Sequence, residues 1–208
     1  MYNVLVVDDH PFIRAAVVML LGQEHFHVVG EANNGADALQ LIKNLEPDLV
    51  VLDIAIPKLD GLEVIRRVNR LGLHVKILVL TSQSAPLYAN RCRMLGAAGF
   101  ISKLDELNEL RKALATVMSG YTVFPVLEND SVNRSAHYAS EEYLISQLSD
   151  RELTILQHLA RGMSNLEIGK MMILSNKTIS AHKNRLMSKL KVNSQVALAD
   201  LAKRNGLL

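Results

Sequence analysis

The chain has 208 residues, 49% of them apolar, with 23 basic and 21 acidic side chains and one cysteine. That length holds two small domains with separate cores, and a lone Cys92 excludes an internal disulfide and suits a reducing compartment, as a small apolar filler. No apolar run approaches the roughly 18 residues of a membrane span, and the chain opens on a strand instead of a signal peptide, so a cytoplasmic protein with no direct membrane insertion is expected.

Five short aliphatic runs come in order: NVLVV (3–7), a weaker HVVGE (27–31), DLVVL (48–52), KILVL (76–80) and GFIS (99–102). Their β-branched, nearly continuous apolar character suits strands buried on both faces of a parallel sheet. Between them apolar residues recur at helical spacing, as at Ile13, Val17, Leu20 and Leu21 and again at Leu62, Ile65 and Val68. The alternation predicts an α/β domain, a doubly wound five-stranded parallel sheet, over residues 1–120. In such sheets ligands sit beyond the carboxyl ends of the strands. There the chain places Asp8 and Asp9 after the first run, Asp53 after the third, Thr81 after the fourth and Lys103 after the fifth. An Asp in such a place also serves as a helix N-cap or turn residue. Three carboxylates at one sheet edge, however, repel one another unless a cation or a lysine offsets them. A hard, oxygen-seeking ion such as Mg²⁺ suits this grouping better than zinc, which prefers His and Cys.

The segments VLVVDDHP, VVLDIAIPKLDG, LVLTS and GAAGFISK resemble the receiver domain of two-component response regulators. The resemblance implies that Asp53 is the phospho-acceptor, attacking the phosphohistidine of a sensor histidine kinase or phosphorelay domain. It implies a Mg²⁺ site of Asp8, Asp9, Asp53 and the backbone carbonyl of Ala55, with Lys103 pairing first with Asp53 and then with the phosphoryl group. Phosphoryl transfer mainly needs positioning and neutralisation of oxygen charge, which a metal and a lysine supply. Thr81 and Phe100 are implied as the switch: the hydroxyl reaches a new phosphoryl oxygen, and the ring moves inward to change the surface near the last helices. Plain core packing is the simpler reading of Phe100. Leu104 departs from the pattern, in which a proline often follows the lysine.

After Gly120 the composition turns polar, and LENDSVNRSAHYASEEY reads as a solvated linker, placed within residues 121–145. Charge divides with it. Residues 1–120 carry 12 basic and 13 acidic side chains (net −1), residues 121–145 carry 1 and 4 (net −3), and residues 146–208 carry 10 and 4 (net +6).

Residues 146–208 predict an all-α, four-helix domain, with caps at Ser149, Ser164, Ser175 and Ser194. Glu152 and Glu167 stand three residues after the first two caps, as in capping boxes, and Gly162 ends the first helix. A tight turn over residues 172–175 would join the second and third helices as a helix-turn-helix. With Leu148, Arg151, Glu152, Leu156, Gly162, Ser164, Asn165, Ile168, Ser175, Thr178, Ile179, His182, Lys189 and Leu190, this segment resembles the LuxR-type helix-turn-helix of the NarL/FixJ class of response regulators. VFP after Gly120, IPKLDGLEVI, SNKTIS and AKRN are similar to the BvgA/EvgA type within it.

The resemblance implies a transcription regulator that binds double-stranded promoter DNA, as a homodimer when phosphorylated, and that is no turnover enzyme. The third helix would enter the major groove with Ser180, Ala181 and Asn184 facing bases and Lys177, Thr178, Lys183 and Arg185 on the backbone. Asn184 suits adenine and Ala181 a thymine methyl; His182 reads as a packing or phosphate-contacting residue. Gly169 replaces the usual alanine, which should loosen its helix by about 1 kcal/mol, and Ser194-Gln195 lacks the arginine often found there. Helices at residues 12–23 and 106–119 are both candidates for the dimer surface. Three other readings stay open. A haloacid-dehalogenase phosphatase needs a second Asp where Ala55 stands; an atypical receiver would bind DNA without a phosphoryl switch; an adaptor would contact RNA polymerase or a partner regulator.

Overall fold

The structure, a computed structural model, describes residues 1–24, 26–126 and 141–208. The chain divides into two units, Met1–Val126 and Leu127–Leu208. In the first, strands β1 (Tyr2–Val7), β2 (Phe26–Ala32), β3 (Leu49–Leu52), β4 (Lys76–Thr81) and β5 (Gly99–Ser102) alternate with helices α1 (Pro11–Gly22), α2 (Gly35–Leu45), α3 (Gly61–Arg70), α4 (Ala85–Met94) and α5 (Leu107–Met118). All five strands are parallel, in the order β2-β1-β3-β4-β5. This is the doubly wound sheet that the aliphatic runs predict. Its three central strands are buried along most of their length because helices cover both faces. Val17, Leu20 and Leu21 of α1 and Leu110, Ala113, Leu114 and Val117 of α5 pack on one face with Val4, Val6, Val51 and Leu78.

Lys76, at the start of β4, donates from Nζ to the Val117 and Met118 carbonyls at 2.7 and 3.0 Å, so it neutralises the C-terminal end of α5. Past α5 the chain turns back along the outer edge of β5. Val123 N–H donates to the Ala98 carbonyl at 3.0 Å, Phe100 N–H donates to the Val123 carbonyl at 2.8 Å, and the Arg93 guanidinium lies 4.5 Å over the Phe124 ring. Residues 121–126 therefore belong to the first unit, although the polar composition beyond Gly120 reads as linker. The other end of that segment also departs from the reading. Glu141–Ser146 forms a helix, α6, because Ile145 is fully buried and Glu141 is held by Arg204 and Asn205 at 2.7 and 2.8 Å. Residues 127–140 of the expected linker lie outside the described residues.

The second unit continues with α7 (Asp150–Ala160), α8 (Asn165–Met172), α9 (Asn176–Lys189) and α10 (Gln195–Arg204). Each predicted serine cap accepts the backbone N–H three residues on, and Ser149/Glu152 and Ser164/Glu167 complete capping boxes. The buried side chains Leu153, Leu156, Ile168, Ile179, Leu186, Leu198 and Leu201 are drawn from all four of these helices. Among the described residues no helix is long and apolar enough to cross a membrane.

Candidate functional site

Parallel register brings the strand ends of the first unit level: Val7 lies beside Leu52, Leu52 beside Val79, and Thr81 beside Ser102. The polar residues that follow or end these strands therefore meet. Asp53 is 2% exposed. Its Oδ1 accepts from Thr81 Oγ1 at 2.7 Å and from the Ala55 N–H at 3.1 Å, and its Oδ2 accepts from Lys103 Nζ at 2.6 Å. The same ammonium reaches Asp8 Oδ2 at 2.7 Å. Burial works against the charge on Lys103, but hydrogen bonds and attraction from Asp53 and Asp8 outweigh it and hold its pKa above the ordinary lysine value.

One lysine cannot balance three carboxylates. Asp9 Oδ1 is buried and accepts no hydrogen bond, although His10 Nδ1 stands 2.9 Å away. Asp8, Asp9, His10 and Asp53 each offer a ligand atom, all within 4.8 Å of one another. An orphaned carboxylate oxygen among three acidic groups fits a hard divalent cation, which prefers oxygen and tolerates few protein ligands. Gly61 shapes this end of the sheet: a Cβ there would lie 2.5 Å from Ile54 Cα and 2.7 Å from the Asp53 carbonyl, so only glycine lets α3 begin against the loop. Phe100 is 2% exposed in β5. Its ring is packed in the core, and the Thr81 hydroxyl rests on Asp53.

In the second unit, α8 and α9 are joined by a left-handed Ile173 (φ 55°, ψ 50°), with Leu174 N–H donating back to the Gly169 carbonyl at 2.8 Å. Helix α9 buries Ile179 and Leu186 and leaves Lys177, Ala181, Asn184 and Arg185 exposed, with Ser180, Thr178 and Lys183 half-buried. Thr178 Oγ1 lies 2.7 Å from the capping Ser175 hydroxyl. Lys183 Nζ donates to Gln195 Oε1 at 2.6 Å. The predicted base-facing and backbone-facing residues thus share one helix, but Lys183 has a partner of its own.

Comparison with known proteins sorts the two units. The response regulator receiver domain family matches residues 4–115, and the luxR family of bacterial regulatory proteins matches residues 146–202. This chain is a LuxR-type response regulator. It is 52% identical over 208 residues to the virulence-factor transcription regulator BvgA of Bordetella pertussis, with both chains covered completely. It is 31% identical over 203 residues to the DNA-binding transcriptional activator EvgA of Escherichia coli, covering 98% of each. Among solved structures it is similar to the RcsB response regulator of Salmonella typhimurium, with a TM-score of 0.77, 28% identity, and 99% and 98% of the two chains covered. The family is one of DNA-binding transcription regulators.

Sequence reasoning missed His10 and a second role of Glu152 in this response regulator. His10 escaped because its place beside Asp9 depends on how the chain turns into α1. Glu152 was read as a cap, yet it is also buried and accepts from Lys189 Nζ at 2.8 Å, tying α7 to α9. Burial works against its charge, but the Lys189 and Ser149 hydrogen bonds prevail and lower its pKa. His182 Nδ1 is buried without a hydrogen bond, and burial with the nearby Arg151 and Arg185 charges lowers its pKa, which suits a neutral packing residue.

Proposed function

We propose that this regulator is switched by phosphorylation of Asp53 and then binds promoter DNA through α9 as a homodimer. The observation that carries the reading is the buried Asp53 carboxylate, shared between Lys103 and Thr81 at 2.6 and 2.7 Å. An Asp53 oxygen attacks the phosphorus of a phosphohistidine, protonated on its other ring nitrogen, on a sensor kinase or phosphorelay domain; the P–O bond forms as the P–N bond breaks, and a neutral histidine leaves with the proton it already carries. Lys103 is placed to follow the charge from carboxylate to phosphoryl oxygen, and Thr81 to donate to that oxygen. Asp8, Asp9, Asp53 and the Ala55 carbonyl would hold Mg²⁺, which neutralises oxygen charge during transfer. The chain takes part in its own phosphoryl transfer and turns over no external substrate.

In this reading Thr81 and Phe100, both inward here, are in the arrangement that a phosphoryl group would hold, and the resulting change of surface favours the dimer. The exposed apolar side chains Phe12 and Met19 on α1 and Leu107 on α5 support those two helices as its surface. On DNA, Ser180, Ala181 and Asn184 face bases while Lys177, Thr178, Lys183 and Arg185 meet the backbone. The +6 charge of residues 146–208 supports this assignment. Residues 1–126 act as receiver and the helical unit from Glu141 onward as reader, in the cytoplasm, with RNA polymerase as a further contact.

The test is selection from a random duplex pool, with and without acetyl phosphate and Mg²⁺, for wild type and Asp53→Ala. Enrichment of a two-fold symmetric site by phosphorylated wild type alone is expected. Equal enrichment in every condition would remove the phosphoryl switch, and none in any condition would favour an adaptor.

A further inference from the structure

The hydrogen bond between Lys183 and Gln195 joins α9 to the first residue of α10, 12 positions on in sequence. A lysine is a flexible stem that loses considerable rotamer freedom when its ammonium is fixed on a phosphate. Lys183 is half-buried and already fixed at 2.6 Å, so that loss is met on folding and not on DNA binding. The acceptor is an amide oxygen, which orients the ammonium without cancelling its charge, and two of the three N–H donors stay available. Where a carboxylate stood instead, the ion pair would neutralise the lysine. We infer that Gln195 is a positioning residue: it holds Lys183 in place for a DNA phosphate. The inference rests on the DNA-binding reading of α9 and deepens it, because it gives α10 a part in recognition that neither its apolar spacing nor its serine cap suggests.

The test measures affinity of the full chain, loaded with beryllofluoride and Mg²⁺, for a mixed-sequence DNA duplex over a range of salt, with circular dichroism to confirm folding. Gln195→Ala is expected to bind on the order of threefold to tenfold more weakly, with an unchanged salt slope because no ion pair is lost. Lys183→Ala should lower both the affinity and the slope, the slope by about one. Adding Gln195→Ala to Lys183→Ala should cost nothing more. Gln195→Glu, of the same shape, should lower the slope as Lys183→Ala does. Full affinity in Gln195→Ala, or additive losses in the double variant, would overturn the positioning role while leaving the DNA reading intact. Salt-independent binding by wild type would overturn both.

Discussion

Lys103 bridges two carboxylates that are almost wholly withdrawn from water, Asp8 and Asp53. Removing the cation leaves buried like charges facing each other, whereas removing one anion leaves a matched pair. Lys103→Met should therefore lower stability by about 3 to 5 kcal/mol, while Asp53→Asn stays within about 1 kcal/mol of wild type. Urea unfolding of the two variants decides this, and equal stability would show that Lys103 does not balance the cluster. In the second unit Glu152 has a lowered pKa. A depressed carboxylate contributes fully above the ordinary glutamate range and loses its contribution as pH falls through its lowered value. Stability of the helical unit should thus drop with acid over that window, and Glu152→Gln should lose about 2 kcal/mol at neutral pH and flatten the profile. Thermal melts across pH, with and without the substitution, give the comparison. Asp8, Asp53, Thr81 and Lys103 were legible because parallel strands must end level. The Glu152–Lys189 pair was not, since nothing in either residue's neighbourhood announces a partner 37 positions away.

At the scale of elements, aliphatic runs and serine caps identified five strands and four helices, and pairing then extended β1 back to Tyr2 and β4 on to Thr81. Helix α6 was hidden in a polar stretch because its formation depends on Arg204 and Asn205 at the far end of the unit. The turn between α8 and α9 reverses one expectation from propensity. Intrinsic preference gives alanine about 1 kcal/mol over glycine at position 169, but a Cβ there would meet the Leu174 carbonyl oxygen at 2.7 Å. Gly169→Ala should consequently destabilise the turn by about 1 to 3 kcal/mol. Ile173, β-branched, left-handed and 90% exposed, carries backbone strain with little burial in return. Ile173→Asn should gain about 1 kcal/mol. Thermal melts of both variants check the pair, and a stabilised Gly169→Ala would mean that the close approach is relieved at no cost.

For the whole molecule, charge and apolar surface point to different partners. The net positive charge lies in 146–208, whereas α1 presents Phe12, 89% exposed, and Met19 at its surface. Burying a phenylalanine is worth about 1.5 to 3 kcal/mol, so Phe12→Ser should weaken self-association of the beryllofluoride-loaded protein by about tenfold or more. Sedimentation equilibrium reads the shift, and an unchanged dimer would direct attention away from α1.

The return of residues 121–126 along β5 sets how the first unit responds to a mechanical load. Val123 is fastened on either side of Gly99, by Ala98 and by Phe100. Tension on the chain beyond Val126 bears first on the Phe124–Arg93 contact and on those two hydrogen bonds, one of which is the amide of Phe100 itself. A pull on the exit segment is therefore felt at the strand that ends beside Lys103 before it reaches the remaining strands.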